Sequence, residues 1–399
     1  MSTIKSLDDL DIQGCNVLVR SDLNVPIHNG KIRDNSRIVR SLPTLNTLIE
    51  KGARVIVISH FGRPKGQVVP EMSLKPVAKA LENALGRNVI FGDDCIGLPA
   101  QKAIDKASSS DVVLLENLRF HSGEESNDDV FADQLAALAD IYINDAFSCA
   151  HRAHASTDAI AHRLPAAAGI LMRAELAALS TSLESPAHPV AAIVGGAKIS
   201  TKMAVLGHLI NRVDQLIIGG GMANTFLFAN GVNIGQSLCE PDMANQATKI
   251  LEEATAKNCE VVLPFDVIVA PEFAEGAVPE TVPIASVPRD CMILDIGPAS
   301  ISDLKRRLLA CKTLIWNGPL GAFELAPFDL GTNALAQEAA RLTEAGKLLS
   351  VAGGGDTISA LKNADCIDSF SYVSTAGGAF LEWLEGRTLP GVAALRAAY

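Results

Sequence analysis

The stretch LLSVAGGGDTISA (348–360) interrupts an apolar run with three glycines, an acid and a hydroxyl. Gly353, Gly354 and Gly355 permit positive φ and let a ligand approach bare backbone. Apolar spacing resumes after Thr357 and predicts a helix start there. Unpaired N–H groups and the helix dipole make such a start an anion seat. Asp356 is the odd member, because a carboxylate repels phosphate unless a cation lies between them. A tight strand-to-helix turn with Asp356 as its N-cap explains the same residues without any ligand. A second glycine pair precedes Lys198 and Lys202 in VGGAKISTK (194–202). One helical turn separates the two lysines, which predicts both ammonium groups on one side; a solvated helix face is the alternative. IIGGGMAN (217–224), WNGPLGAFE (316–324) and STAGGAF (374–380) repeat the glycine signal. Neither GxxxxGK[ST] nor a GxGxxG after a first strand occurs, which argues against a Walker A loop and a dinucleotide fingerprint.

The first half carries a different set. Arg20, Asp22 and Asn24, then His60 and Arg63, then Arg119, then His151, Arg152 and His154 each stand at the end of an apolar run or in the loop after it. Arg37 follows the first loop. The guanidinium fork pairs with carboxylate and phosphate. A single Arg is ordinarily a surface ion pair; several at one topological level predict a pocket for a small, multiply anionic molecule. One half built for a small anion and the other for a nucleotide phosphate tail point to phosphoryl transfer, with Asp356 holding Mg²⁺.

The elements that position these residues are legible as apolar runs: 16–22, 53–60, 111–117 and 139–145 in the first half, and 188–196, 215–220, 260–266, 312–318 and 347–355 in the second. Near-continuous apolar runs are strands covered on both faces, hence parallel sheets. Helical spacing lies between them: Phe131, Leu135 and Leu138 after Ser126–Asp129, and Ile38, Leu42, Leu45 and Ile49, where Pro43 is expected to kink or divide the helix. The fold class is α/β, with two Rossmann-like doubly wound parallel-sheet domains joined by a helical hinge. The Ala-rich segment 166–189 reads as an amphipathic helix; residues 1–169 form the first domain, 170–185 the connecting helix and 186–380 the second domain.

Composition narrows the class. The chain has 399 residues and a formal net charge of -11, which argues against nonspecific nucleic-acid or membrane-surface binding. No apolar run approaches membrane-spanning length, and the N-terminal segment lacks a signal core. Eight scattered cysteines without a CxxC pair argue against a disulfide framework or a metal site and fit a reducing, cytoplasmic compartment.

RSDLNVP with Arg37, SHFGRP, ENLRF, DAFSCAHRAHAS, VGGAKISTK, WNGPLGAFE, GGGDT and STAGGA, in this order and across nearly the whole chain, resemble the phosphoglycerate kinase family. The resemblance implies reversible phosphoryl exchange between 1,3-bisphosphoglycerate with ADP and 3-phosphoglycerate with ATP. It implies Mg²⁺, a monomer, and a C-terminal segment, from about 381, that returns to the first domain. It places Asp22, Leu23, Asn24 and Arg37 at the glycerate, and His60, Phe61, Gly62, Arg63, Arg119 and Arg152 at the remote phosphate, with Arg20 in support. Arg37, Lys198, Lys202, Gly355 and Gly378 would act on the phosphoryl group in transfer, with Gly377 beside it. Lys202, Glu324 and Gly353–Thr357 would hold the nucleotide, and Asp356 the metal. Ala376 takes the first place of the family's three glycines after Ser-Thr and would cost about 1 kcal/mol if that position needs positive φ. A substrate carboxylate is already ionised at neutral pH, which accounts for the lack of an obvious general base among these motifs. Two rivals stay open on the residues alone: a nucleotide-dependent dehydrogenase, separable by dihydronicotinamide absorbance, and a two-lobed binding protein of periplasmic type, separable by ATP turnover.

Overall fold

The computed structural model describes residues 4–28 and 30–397. They divide into two compact units: the chain up to Leu176 together with the segment from Thr388, and Ala177–Arg387.

The first unit is built on a six-stranded parallel sheet in the order Val89–Gly92, Val112–Leu115, Arg54–Ile58, Asn16–Arg20, Ile141–Asn144, Ala166–Ala168. Its inner strands are buried along their length, as their apolar runs require: Val112–Leu115 and Ile141–Asn144 expose nothing. Helix Ser36–Glu50 covers one face with Ile38, Leu45 and Leu48, all fully buried. Burial of each such side chain contributes about 1.5–3 kcal/mol. Pro43 lies inside this helix without dividing it. The carbonyl that its ring deprives of a partner belongs to Val39, whose side chain is exposed, so water can replace the missing bond. From Asn16–Arg20 the chain moves first toward one edge and later, at Ile141–Asn144, to the other side. The crevice beyond the carboxyl ends of these central strands is the switch point.

The second unit holds a six-stranded parallel sheet ordered Glu260–Val262, Gln215–Ile218, Val190–Val194, Thr313–Asn317, Leu349–Gly353, Tyr372–Ser374. Counted in chain order within this sheet, the order is that of the dinucleotide-binding fold, and the switch point falls between Val190–Val194 and Thr313–Asn317. A three-stranded antiparallel sheet stands beside it, with Asp266–Ala270 between Glu280–Pro283 and Met292–Ile296.

Three expectations change. Ala166–Ala168, read as helical from its alanines, pairs with Tyr142–Asn144 as an edge strand; tertiary pairing overrides propensity. The helix begins at Ile170 and runs to Leu179, followed by one π turn, Ser180–Glu184. The division between the units falls inside it. The C-terminal segment joins the first unit from Thr388, not from 381. Residues before that stay in the second unit, where helix Gly378–Leu384 packs on Met203–Leu209 and Gly386 abuts His208. Helix Pro390–Ala397 packs on the first unit, with the Gly391 N–H donating to the Ala150 carbonyl at 2.9 Å.

The switch point of the second unit fixes two glycines by contact. A Cβ on Gly195 would lie 1.8 Å from the Pro319 carbonyl oxygen, and one on Gly318 2.2 Å from that of Gly195. Gly195→Ala should therefore force backbone apart and destabilise the unit by about 2–3 kcal/mol, lowering Tm by roughly 4–10 °C. Gly207→Ala, in helix Met203–Leu209 with nothing within 4 Å of its Cβ, should be neutral or slightly stabilising. Equal melting temperatures for the two variants would contradict the packing argument.

Candidate active site

Arg20 ends the central strand of the first unit and is 1% exposed. A cation this deep must have its donors met. Nε donates to Ser156 Oγ at 2.9 Å, Nη1 to the Ser21 carbonyl at 2.6 Å, and Nη2 faces His60 Nδ1 at 3.2 Å and Cys149 Sγ at 3.6 Å. Because guanidinium only donates, His60 Nδ1 accepts and its Nε2 carries the proton. Burial and then the guanidinium charges of Arg20, Arg119 and Arg37, against the opposing pull of Asp22, push His60 well below its ordinary range, so the ring is neutral.

Asp22 accepts from Arg37 Nη1 and Ser148 Oγ, each at 2.5 Å. Burial opposes its ionisation, but the Arg37 and Arg20 guanidiniums and the Ser148 hydrogen bond prevail and hold its carboxyl below the usual carboxylate range. With His60 neutral, Arg37 is the cation in direct contact. Asn24 Oδ1 receives the Gly62 N–H at 3.0 Å, and the Leu23 N–H donates to Ser59 Oγ at 2.9 Å. Asn117 clamps Phe61 from both sides, accepting its N–H at 3.0 Å and donating to its carbonyl at 2.7 Å. Arg119 donates to the Gly62 carbonyl at 2.7 Å and pairs with Glu125 at 3.2 Å. Arg63 is exposed, and Arg152 is half-buried against His151 at 3.1 Å. The loops after Asn16–Arg20, Arg54–Ile58, Val112–Leu115 and Ile141–Asn144 thus bring these residues to one rim.

In the second unit, Lys202 donates to the carbonyls of Gly195 at 2.9 Å and Asn317 at 3.0 Å, and to Asn317 Oδ1. Burial lowers its ammonium to about 8 against the pull of Asp356. Lys198 is exposed and extended before the 3-10 turn Ile199–Thr201. The two lysines therefore flank a tight turn and share no helix face, contrary to the spacing argument. Helix Gly355–Asn363 starts after Gly354, whose φ is 102°. Asp356 lies inside its first turn, exposed, and so is not the N-cap. The Thr357 hydroxyl is buried, donating to the Gly353 carbonyl at 2.9 Å and accepting the Gly318 N–H at 2.7 Å. It pins two loops together. Positive φ falls on Gly377 at 51°, while Ala376 has none, so alanine in the first glycine place carries no backbone strain. Gly378 opens the following helix.

Lys202's neighbours Gly196 and Ala197, together with Asp356 and Glu324, border a cleft of about 370 Å³. Gly220, Gly221, Leu238, Phe273, Met292 and Leu294 give it a largely apolar wall. An apolar slot with a glycine-lined border fits a flat heterocycle carrying a phosphate tail.

A sequence profile described as Phosphoglycerate kinase matches residues 7–387. The chain belongs to the phosphoglycerate kinase family. A phosphoglycerate kinase of Ruegeria sp. (strain TM1040) is 58% identical over 392 residues, covering 98% of this chain and 99% of the relative. One from Methylorubrum extorquens (strain PA1) is 58% identical over 398 residues, with both chains fully covered. The solved phosphoglycerate kinase from Coxiella burnetii superposes with a TM-score of 0.93 at 44% identity, covering all of both chains. As a phosphoglycerate kinase, the chain transfers a phosphoryl group between ATP and the carboxylate of 3-phosphoglycerate, a glycolytic reaction, with ATP and ADP as co-substrates. Among the described residues no helix is long and apolar enough to cross a membrane.

The apolar wall of the cleft was missed in the sequence reading. MILDIGP (292–298) carried the signal: an apolar run closed by Gly-Pro at a helix start. Two buried carboxyls were missed as well. Burial raises Asp145 to about 7 and Asp295 to about 7, against the backbone hydrogen bonds each accepts. Asp295 lines the cleft and takes the Gly331 N–H at 2.7 Å, with Gly321 and Gly331 so close that a Cβ on either would meet its Oδ1 at 2.3 and 2.4 Å. A carboxyl raised in the folded state binds its proton more tightly there. The stability it confers is whole below about pH 4 and is lost as pH rises through about 7. Asp295→Asn should therefore flatten the fall in unfolding free energy between these limits by on the order of 2–4 kcal/mol. The amide lowers stability at every pH, so the slope is the readout; denaturant unfolding across pH 4–8 with an unchanged slope would refute the assignment.

Proposed function

We propose that 3-phosphoglycerate sits on the arginine rim of the first unit and a Mg²⁺-nucleotide in the cleft of the second. The observation that carries this reading is at the border of that cleft, where the exposed Asp356, in the first turn of helix Gly355–Asn363, lies within electrostatic reach of the buried Lys202 ammonium. On the rim, Asp22 and Asn24 orient the hydroxyl and carboxylate end of the glycerate, and Leu23 contributes backbone. Arg37 contacts the carboxylate and the phosphoryl group in flight. His60, through Nε2–H, together with Arg63, Arg119, Arg152 and the backbone of Phe61 and Gly62, takes the remote phosphate. Arg20 fixes the His60 tautomer from behind.

In the cleft, Lys202 and Lys198 face the nucleotide phosphates, Glu324 the ribose hydroxyls, and Gly353–Gly355 offer backbone. Gly377 and Gly378 present N–H groups to the transferred phosphate. Asp356 is a hard oxygen donor with its side chain in solvent, which fits the one or two carboxylates Mg²⁺ ordinarily takes alongside phosphate oxygens and water. When bound, the ion neutralises phosphate charge. No proton has to leave the attacking carboxylate, so the side chains position and neutralise. Direct in-line transfer requires near-contact of the reacting atoms, so the units close about the connecting helix in the reactive complex. The acidic surface charge and unpaired cysteines support a cytoplasmic monomer.

A coupled assay with 3-phosphoglycerate, ATP and Mg²⁺ tests the reading, and two variants separate its halves. Arg37→Met should lower kcat about 100-fold or more while nucleotide binding survives. Near-normal kcat with only a raised KM would remove Arg37 from the transfer step. Asp356→Asn keeps the shape but not the charge. It should weaken Mg-ADP binding and leave 3-phosphoglycerate binding unchanged in calorimetry, and equal Mg-ADP affinity would overturn the metal assignment.

A further inference from the structure

Read singly along the sequence, the cysteines argued against a metal site. The fold brings one of them into a different setting. Cys95 follows the edge strand Val89–Gly92, and His121 follows the turn Leu118–Phe120 after the neighbouring strand Val112–Leu115. Both loops leave the same end of the sheet, because the two strands are parallel and paired. Ligand atoms of Asp94, Cys95 and His121 all lie within 4.8 Å of one another. None of the three belongs to the glycerate rim or the nucleotide cleft.

We infer that Asp94, Cys95 and His121 form a binding site for a borderline divalent transition-metal ion of the Zn²⁺ class. The donor set is the first argument. One thiolate, one imidazole and one carboxylate are ligands that Zn²⁺ and Co²⁺ accept together, whereas Mg²⁺ selects oxygen alone. Spacing is the second. Bonds of about 2.0–2.3 Å to a tetrahedral ion set donor atoms about 3.3–3.7 Å apart. Here His121 Nε2 and Asp94 Oδ1 are 2.7 Å apart and all three donor atoms lie within 4.8 Å of one another, close enough for one ion to reach all three. Small side-chain rotations close the triad.

Preorganisation is the third argument. The His121 ring is stacked on Phe131, with centroids 5.2 Å apart and an interplanar angle of 27°, which limits its rotation. The Cys95 N–H donates to Asp94 Oδ1 at 2.6 Å, which ties the two adjacent donors in one turn. Cys95 is fully buried while Asp94 and His121 are half-exposed, so the thiol is the floor and the other two form a rim open to water. Three protein donors leave a fourth position for water. Asp94 and the buried Glu124 both put negative charge toward the thiol, a surrounding that favours a cation. Loading replaces the S–H bond of Cys95 with a sulfur–metal bond and the N–H bond that His121 Nε2 directs at Asp94 with a nitrogen–metal bond; the neutral imidazole takes its proton at Nδ1 instead, the thiol proton leaves to solvent, and no oxidant or reductant takes part.

Co²⁺ titration of the full chain tests this, because thiolate-bound cobalt absorbs by sulfur-to-metal charge transfer in the near ultraviolet and by d–d transitions in the visible. One such Co²⁺ per chain is expected, displaced by Zn²⁺ and unaffected by a large excess of Mg²⁺. Cys95→Ser should abolish the charge-transfer band. His121→Gln, on the rim and away from the buried floor, should weaken Co²⁺ binding roughly tenfold or more with the fold intact. Kinase turnover should be unchanged in His121→Gln. Cys149 provides the decisive control, since Asp22, His60 and Cys149 are also within ligand reach of one another on the glycerate rim. Cys149→Ser should keep the band. A band that survives Cys95→Ser, a band lost in Cys149→Ser, unaltered affinity in His121→Gln, or no charge-transfer band at saturating Co²⁺ would each overturn the site.

Discussion

Both units depend on burying a cation without neutralising it. Arg20 is 1% exposed and is bonded to a hydroxyl, a carbonyl, a neutral imidazole and a thiol. Lys202 is bonded to two carbonyls and an amide oxygen. Taking a charge out of water costs several kcal/mol, and the usual remedy is an opposite charge in contact. Here neutral oxygens meet the donors, so hydrogen bonding is satisfied while the positive field persists. Each cation sits at the switch point of its sheet, where loops diverge and an anion can reach it. Arg37 is the exception, paired with Asp22. Its charge is held in place until something displaces or shares that carboxylate.

The glycines of the second unit divide into two physical kinds. At Gly195, Gly219, Gly318 and Gly353 a Cβ would collide with backbone or a packed side chain, so glycine there lets neighbouring segments touch. At Gly355 and Gly377 nothing lies within 4 Å of the Cβ position. Those two leave backbone open to approach at helix starts, where N–H groups lack intrahelical partners. A run such as GGGDT therefore mixes both kinds: Gly353 is closed by Phe380 and Gly355 faces open space. Composition at strand ends shows that glycine is needed but not which need it serves.

Parallel strands buried on both faces read directly from sequence, because most residues in them are apolar. Each of the apolar runs from 16–22 to 347–355 contains an observed strand. Short edges escaped. Val89–Gly92, Ala166–Ala168 and Tyr372–Ser374 offer only three or four residues of signal. The antiparallel sheet escaped for another reason: Glu280–Pro283 is buried only at Val282, so it never forms an apolar run. The rim residues were legible because each follows a strand end at short range. What sequence could not supply was orientation. Lys198 and Lys202 were misread because a 3-10 turn replaced the assumed helix. Asp145 and Asp295 look like ordinary acids until glycines close over them, at Gly169 for the first and at Gly321 and Gly331 for the second.

The overall charge of this chain and the chemistry of its sites have opposite signs, and distance reconciles them. A formal net charge of -11 repels a polyanion at long range, but at physiological ionic strength such repulsion is screened beyond about 8 Å. Within a hydrogen bond's reach, partly buried cations act through a lower dielectric, and each contact is several times stronger than in water. A compact anion would touch only the rim, where Arg20 and Arg152 lie within electrostatic reach of Arg119. The same geometry limits how many cations are useful. Arg119 already shares its charge with Glu125 and Arg37 with Asp22. Without those carboxylates the like charges on the rim would repel one another and raise the cost of the empty site; with them, an incoming phosphate or carboxylate has to compete for each guanidinium. If the rim takes the glycerate as proposed, it would trade some affinity for a stable empty state, which suits a reversible reaction that must release its products in either direction.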